Sequence, residues 1–311
     1  GNNIRFNDWF EHWWTKYKVG NVKESTSDQY KKNYNNYIRD VIGDMSLVDI
    51  KPIHCQEVLN KMAQTELSTG TINIVRIMLH SIFEIAVEND MIIKNPVQSS
   101  VKQKGIDAKD KFVPNIFLQK RLIQALEKEK CYNLFALDLQ TGLRVGELTS
   151  LKWSDINFEE RYLTVNRTVY YSIKEHDFIE TTPKTKNSIR KVPLTEEAIK
   201  ILLDQKHKQK RIKKTYLIFN DYVFLSREGK PFANHHLNRR LYDVCKKLEI
   251  PQMSMHCLRH TFATRCIESG MKPKTLQRIL GHANIQTTLD LYVHVTDDEL
   301  FSEIKKFEYL A

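Results

Sequence analysis

Cysteine is scarce and poorly placed for cross-linking. The five cysteines, Cys55, Cys131, Cys245, Cys257 and Cys266, are odd in number and contain no CxxC pair, which argues against a disulfide framework and a typical structural zinc site. Long apolar runs are also lacking: none approaches the roughly 18 residues of a membrane span, and the opening residues are polar rather than signal-like. A cytoplasmic protein with no membrane partner is expected. There is no GxxxxGK[ST] loop to cradle nucleotide phosphates. His256 and His260 stand four apart, but HCLRH lacks the glutamate of HExxH, and Arg259 between the histidines would repel a cation. No metal or other cofactor is expected.

What the chain has in excess is positive charge. At 311 residues its formal charge is +10 and its pI about 9.2, a balance that favours a polyanionic partner. Residues 1–105 hold 13 Lys and Arg against 12 Asp and Glu, leaving 35 against 26 for the remainder. The positive field therefore belongs to the later two-thirds. The length predicts two domains, and 41% hydrophobic residues are enough for each to bury a core.

Periodicity makes the first part helical. Ile4, Phe6, Trp9, Phe10, Trp13, Trp14 and Tyr17 mark a first helix, and Tyr30, Tyr34, Tyr37, Ile38 and Val41 a second. Pro52 starts a third over about 52–66, and an apolar fourth covers about 70–91. An all-α domain is expected over 1–98. A linker over 99–113 follows, its Lys102 and Lys104 suited to a phosphate backbone. The third region, 114–311, mixes helices with strands. Alternation at Tyr162, Thr164 and Asn166, and at Phe178, Glu180 and Thr182, predicts a small antiparallel sheet within 161–194. Phe224-Leu225-Ser226 is expected as a further strand, and Asn234 as the cap of a helix over 235–248. Arg239 and Arg240 near the start of that helix are candidates for reading a DNA groove. The basic run Lys206–Lys214 is read as a solvated face or a second phosphate contact. The fold class is thus mainly α with a small antiparallel β-sheet.

Two stretches carry chemistry. In Thr141-Gly142-Leu143-Arg144-Val145-Gly146-Glu147-Leu148, Arg144 and Glu147 lie three apart, so the carboxylate can orient the guanidinium from one helical face. In residues 253–296, His256 and Arg259 share a face in the same way. His282 and Tyr292 do not, because ten residues at about 100° each place them on different sides of one straight helix. Gly270 and Pro273 predict a break and Gly281 a helix end. Three short helices folded together can then gather two histidines, an arginine and a phenol, a set suited to an anionic centre attacked by a hydroxyl.

His256-Cys257-Leu258-Arg259-His260-Thr261-Phe262-Ala263-Thr264, then Leu280-Gly281-His282, Ile285, Thr287-Thr288 and Tyr292, resembles the tyrosine recombinase (phage integrase) family. T-G-L-R-x-x-E-L is similar to that family's first arginine motif. The resemblance covers nearly the whole chain, with its specific motifs all in 141–294, and it implies an all-α core-binding domain followed by a mixed α+β catalytic domain. It also implies Tyr292 as the nucleophile on a scissile phosphodiester. Arg144, Arg259 and His282 become donors to the phosphate, His256 the base, Glu147 the holder of Arg144, and Lys184 the proton donor to the leaving oxygen, with Lys186 a live alternative. The resemblance further implies cleavage through a 3'-phosphotyrosine link and a Holliday junction, without an outside energy source.

The segment Lys184–Leu194 and the longer sheet before it look most like integrases of conjugative transposons and related phages, which integrate and excise mobile elements. Those usually carry a further arm-type DNA-binding domain ahead of the region seen here. A chromosome-dimer-resolving recombinase, or a DNA-binding protein without cleavage activity, is the alternative reading. Double-stranded core-site DNA, DNA-bending accessory proteins and a homo-oligomer of two to four protomers are the partners implied. The helix read over 297–309, with Leu300, Ile304 and Phe307, would dock on a neighbouring protomer.

Overall fold

The computed structural model describes residues 4–22, 24–107, 112–172, 175–182, 189–209 and 220–292, with only the backbone of Glu24, Ser25 and Tyr292. Lys184, Lys186, Lys210–Lys214 and the helix expected over 297–309 lie outside the described residues. The chain divides into two compact units, Gly1–Asp110 and Lys111–Ala311.

The first unit is helical: α1 (Phe6–Trp13), α2 (Glu24–Asn33), α3 (Arg39–Ile42), α4 (Pro52–Gln64) and α5 (Thr69–Glu88). Its core is built on the aromatic stripe of α1. Phe6, Trp9, Phe10 and Trp13 are buried, and Phe10 stacks on Tyr34 with ring centroids 3.6 Å apart and 4° between planes. The tyrosine stripe is therefore packing at Tyr34. The Trp9 indole donates to the Ile82 carbonyl at 3.1 Å, which ties α1 to α5. By length and composition α5 does qualify as a membrane span, with a mean hydropathy of 1.4, contrary to the sequence expectation. It is interrupted by Asn73, Arg76, His80 and Glu84, and its Ile72, Val75, Met78, Leu79, Ile82, Phe83 and Ala86 fill the core of the unit.

The region expected as a linker is structured where it is described. Val101 is buried, Ile106 bridges Ser68 in parallel register, and the Arg76 guanidinium donates to the Val101 carbonyl at 2.6 Å. These contacts leave little slack, and 99–107 packs with the first unit.

The second unit begins with α6 (Ile116–Leu126), α7 (Tyr132–Thr141) and α8 (Val145–Thr149). Strands β1 (Ile156–Asn157), β2 (Tyr162–Val165) and β5 (Arg190–Pro193) form an antiparallel sheet ordered β1-β2-β5, while β3 (Thr168–Ser172) and β4 (Asp177–Thr181) make a separate hairpin. Two small sheets thus stand where one was expected. Residues 224–226 form no strand; their neighbour Tyr222 makes an isolated bridge to Lys152. Helices α9 (Glu196–Gln209), α10 (Asn234–Lys247), α11 (Met255–Glu268), α12 (Pro273–Leu280) and α13 (Gln286–Leu289) complete the unit. Asn234 opens α10 from inside, and Ala233 occupies the cap position with no side-chain bond.

Helix α7 is the axis of this unit. Leu134, Phe135, Leu137 and Leu139 are buried along it and share one core with Leu258 of α11 and Leu202 of α9. It ends at Gly142 in the left-handed region, φ +58. A Cβ there would lie 2.2 Å from Phe262, so glycine is required both by the turn and by the approach of α11.

Candidate active site

The site is assembled at the C-terminal end of α12. Helix ends leave their last carbonyls without intrahelical donors and carry partial negative charge. Here three consecutive carbonyls receive three arginines. Arg190 Nε donates to Ile279 O at 2.6 Å, Arg259 Nη2 to Leu280 O at 2.7 Å, and Arg144 Nη2 to Gly281 O at 2.8 Å. Gly281 makes this possible by turning the chain into the left-handed region, φ +66. The break at Gly270 and Pro273 and the stop at Gly281 fall where the sequence predicted them.

Each arginine has a second anchor. Arg259, only 4% exposed, also donates from Nη1 to Gly142 O at 2.6 Å. The turn glycine that admits α11 thereby supplies an acceptor for it. Burial, followed by the field of Arg144, lowers the Arg259 pKa to about 10, which leaves it cationic at neutral pH. Arg144 precedes α8 and reaches Glu147 twice, from Nη1 to Oε1 at 2.9 Å and from its backbone N to Oε2 at 2.9 Å. The pairing expected from their spacing is present, but Arg144 makes it from the extended cap position ahead of the helix and not from a shared helical face.

Arg190 was missed in the sequence. It opens β5, is nearly buried, and grips the same carboxylate in a fork, Nη1 to Oε1 at 3.0 Å and Nη2 to Oε2 at 2.8 Å. Nothing local links positions 147 and 190; only the fold brings them together. Burial would push the Glu147 pKa up, but the hydrogen bond and charge of Arg190, and then Arg144, hold it below the ordinary carboxylate range.

His282 follows the helix end and sits 2.9 Å from Thr288 Oγ1 through Nδ1. Burial first, then the fields of Arg259, Arg144, Arg190 and His256, lowers its pKa to about 4. At neutral pH the ring is uncharged. If the Thr288 hydroxyl donates to Nδ1, the proton resides on Nε2, a neutral donor. His256 is exposed on α11, with Nε2 3.2 Å from Nε2 of His260. Arg144, His256, Arg259, His282, Asn234 and Asn238 help line one cleft of about 470 Å³. Glu147 lies behind it, 8% exposed.

Tyr292 closes a 3-10 turn, Asp290–Tyr292, directly after α13. The preceding Leu291 packs on Ala263, Cys266, Leu276 and Leu280, which anchors the turn to α11 and α12. Lys102 and Lys104 are exposed in the first unit, with Lys104 3.1 Å from Asp107. Arg239 and Arg240 are exposed on α10, and Arg240 is already engaged by Glu129 at 3.2 Å. Among the described residues of the second unit, Arg239 and Arg240 are not in the lining of the cleft.

Comparison with known proteins identifies the family. Residues 119–299 match the phage integrase family and residues 5–63 the phage integrase N-terminal SAM-like domain. A XerC-like tyrosine recombinase of Caldanaerobacter subterraneus subsp. tengcongensis is 32% identical over 293 residues, covering 88% of this chain and 75% of the relative. The transposase of transposon Tn916 from Enterococcus faecalis is 32% identical over 285 residues, covering 86% and 69%. Among solved structures, the Tn1549 transposon integrase in complex with a circular intermediate DNA superposes with a TM-score of 0.87 at 26% identity, covering 98% of this chain and 99% of that one. The chain belongs to the phage integrase family and is a site-specific recombinase of the tyrosine class, like the integrases of conjugative transposons.

Proposed function

We propose that the chain cleaves and rejoins double-stranded DNA at core sites to integrate and excise a mobile element, with Tyr292 as nucleophile. The reading is carried by the convergence of Arg144, Arg259, His256 and His282 on one cleft beside the turn that bears Tyr292. The Tyr292 phenolic oxygen forms a bond to the scissile phosphorus as the bond to the 5'-oxygen breaks. The phenolic proton passes to His256, and Lys184, or Lys186 in its place, protonates the departing 5'-oxygen. Arg144 and Arg259 hold the non-bridging oxygens as charge builds, and neutral His282 adds a third donor. A 5'-hydroxyl from the partner duplex then reverses the step on the 3'-phosphotyrosine. Two such rounds pass through a Holliday junction.

In this reading the first unit is a core-binding domain, and Lys102, Lys104, Arg239 and Arg240 contact phosphates or groove edges. Phosphate contacts supply most of the affinity, with a steep salt dependence. The helix over 297–309 joins neighbouring protomers into dimers and tetramers, DNA-bending proteins assist, and the protein works in the cytoplasm. The structures of relatives support the first two partners: lambda integrase is seen as a dimer on a core site and as a tetramer on a Holliday junction.

Covalent trapping tests the chemistry. Nicked duplexes drawn from a randomised library are incubated with the chain and with Tyr292→Phe in the presence of chelator. An adduct that requires Tyr292 and survives chelation is expected. An adduct persisting in Tyr292→Phe overturns the nucleophile, and binding without any adduct across the library favours a DNA-binding protein without cleavage activity.

A further inference from the structure

We propose that Arg190 is a positioning residue for strand cleavage, aligning the Arg144 guanidinium by holding both groups to which Arg144 is bonded. The inference rests on the reading of Arg144 as a phosphate ligand. Arg144 has two anchors, the Glu147 carboxylate and the Gly281 carbonyl. Arg190 bonds the first directly and packs against the chain that carries the second. Its fork takes both oxygens of Glu147, so that Oε1 and Oε2 each accept one bond from Arg190 and one from Arg144. A carboxylate with two oxygens so engaged has little freedom to rotate.

The second anchor is held through the backbone. Arg190 Nε donates to Ile279 O at 2.6 Å, two residues before the carbonyl Arg144 uses. A Cβ on Gly281 would lie 2.9 Å from Arg190 Cζ, so this part of the chain passes directly against the guanidinium. Arg190 side-chain exposure is 6%, against 45% for Arg144. The buried arginine can therefore serve as the fixed frame, and the exposed one as the group presented to the ligand. A lysine at 190 would keep the charge and lose the fork.

The electrostatics provide a separable signature. Glu147 faces Arg144 at the start of α8, Arg190 on β5, Arg259 on α11 and the carboxyl of Asp138 on α7. Removing Arg190 takes away the largest influences that keep Glu147 ionised in its buried place. A residue that merely stabilised the fold would change stability and activity by the same factor at every pH.

The test compares wild type, Arg190→Gln and Arg190→Lys. The first readout is the Glu147 carboxyl titration, followed by carbon NMR on glutamate-labelled chain without DNA and assigned with Glu147→Gln. The second is the single-turnover rate of adduct formation against pH, on the nicked duplex selected by wild type, alongside DNA affinity and thermal melting. For Arg190→Gln we expect Glu147 to titrate about one pH unit or more higher. Cleavage should fall about 100-fold at pH 7, with the loss deepening at lower pH and DNA affinity nearly unchanged. Arg190→Lys should recover the titration better than the rate.

An unchanged Glu147 titration, or a loss of cleavage uniform in pH and matched by lower melting, overturns the proposal. If Arg190→Gln does not fold, Arg190→Lys decides on the same readouts, since a wild-type rate with a single ammonium at 190 would also overturn it. Failure of the wild-type chain to form any adduct refutes the proposed function instead, and the titration still decides whether Arg190 holds Glu147.

Discussion

Arg259 Nη2 lies 2.7 Å from the Leu280 carbonyl, so the arginine of the central motif is fixed by the end of the next helix rather than by a carboxylate. This leaves its positive charge without a direct acidic partner among the described residues, and Glu147 and Asp138 act on it only through their fields. An arginine oriented by carbonyls keeps more of its charge for an incoming anion than one neutralised by a salt bridge.

The His282 ring should make the fold acid-sensitive. Its folded pKa, about 4, is below the ordinary 6.5, so the unfolded chain binds a proton that the folded chain refuses. Stability from this residue is complete above about pH 6.5 and declines as pH falls toward 4. Urea unfolding from pH 7 to 4 should show a shallower decline for His282→Gln than for wild type. An identical slope would remove His282 as the cause.

Glu147→Gln should be costly. It leaves Arg190 nearly buried and Arg144 beside it with no anion to hold them, and loss of one partner of a buried pair costs about 3–5 kcal/mol. The folded pKa of Glu147 is below its unfolded value, so its contribution is present above about pH 4.5 and lost as pH falls through the folded pKa. Chemical denaturation at pH 7 checks the magnitude. A loss under about 1 kcal/mol would mean that the arginines find other acceptors.

Gly142→Ala should fail for two separable reasons. The left-handed backbone costs an L-residue about 1–2 kcal/mol, and the new methyl would meet Phe262 at 2.2 Å. Phe262→Leu placed in the Gly142→Ala background should relieve the overlap and leave the backbone term. A melting comparison of the two singles and the double measures the coupling, and strict additivity would count against the contact.

Asp138 is fully buried on α7, and neither carboxyl oxygen has a hydrogen-bond partner among the described residues. Burial pushes its pKa well above the ordinary value despite the nearby charge of Arg259. The folded chain therefore retains a proton that the unfolded chain releases, and stability should fall as pH rises from about 4 through the folded pKa. Asp138→Asn should flatten that slope in urea titrations and fold at pH 7 at least as well as wild type. A large loss at pH 7 would show that the ionised carboxylate is needed to balance Arg259.

Much of the site was legible because its parts are local. Gly281 as a stop and the break at Gly270 and Pro273 follow from backbone preferences and stand as expected, and Arg144 meets Glu147 three residues on, although across a helix cap and not along a helical face. The tyrosine stripe was legible as packing for the same reason. Other readings needed contacts that the sequence does not carry. The polar, lysine-bearing stretch 99–113 reads as a linker; its first part, 99–107, is held by Val101, Gly105 and Ile106, whose contacts lie with α5 and the loop before it. Asn234 read as a cap, yet it is the first helical residue, and Ala233 takes the cap position without side-chain help.

The sequence by itself determined the residue types, the helical punctuation and the family, because motifs at short fixed spacing encode local geometry directly. Only the tertiary structure decided that three arginines, from β5, from the cap before α8 and from α11, meet three successive carbonyls at one helix end, and that Glu147 is shared between two of them. Residues 147 and 190 have no common period, and no pattern along the chain can express their distance. The reason is physical: unsatisfied carbonyls and a buried carboxylate demand donors from wherever the fold delivers them.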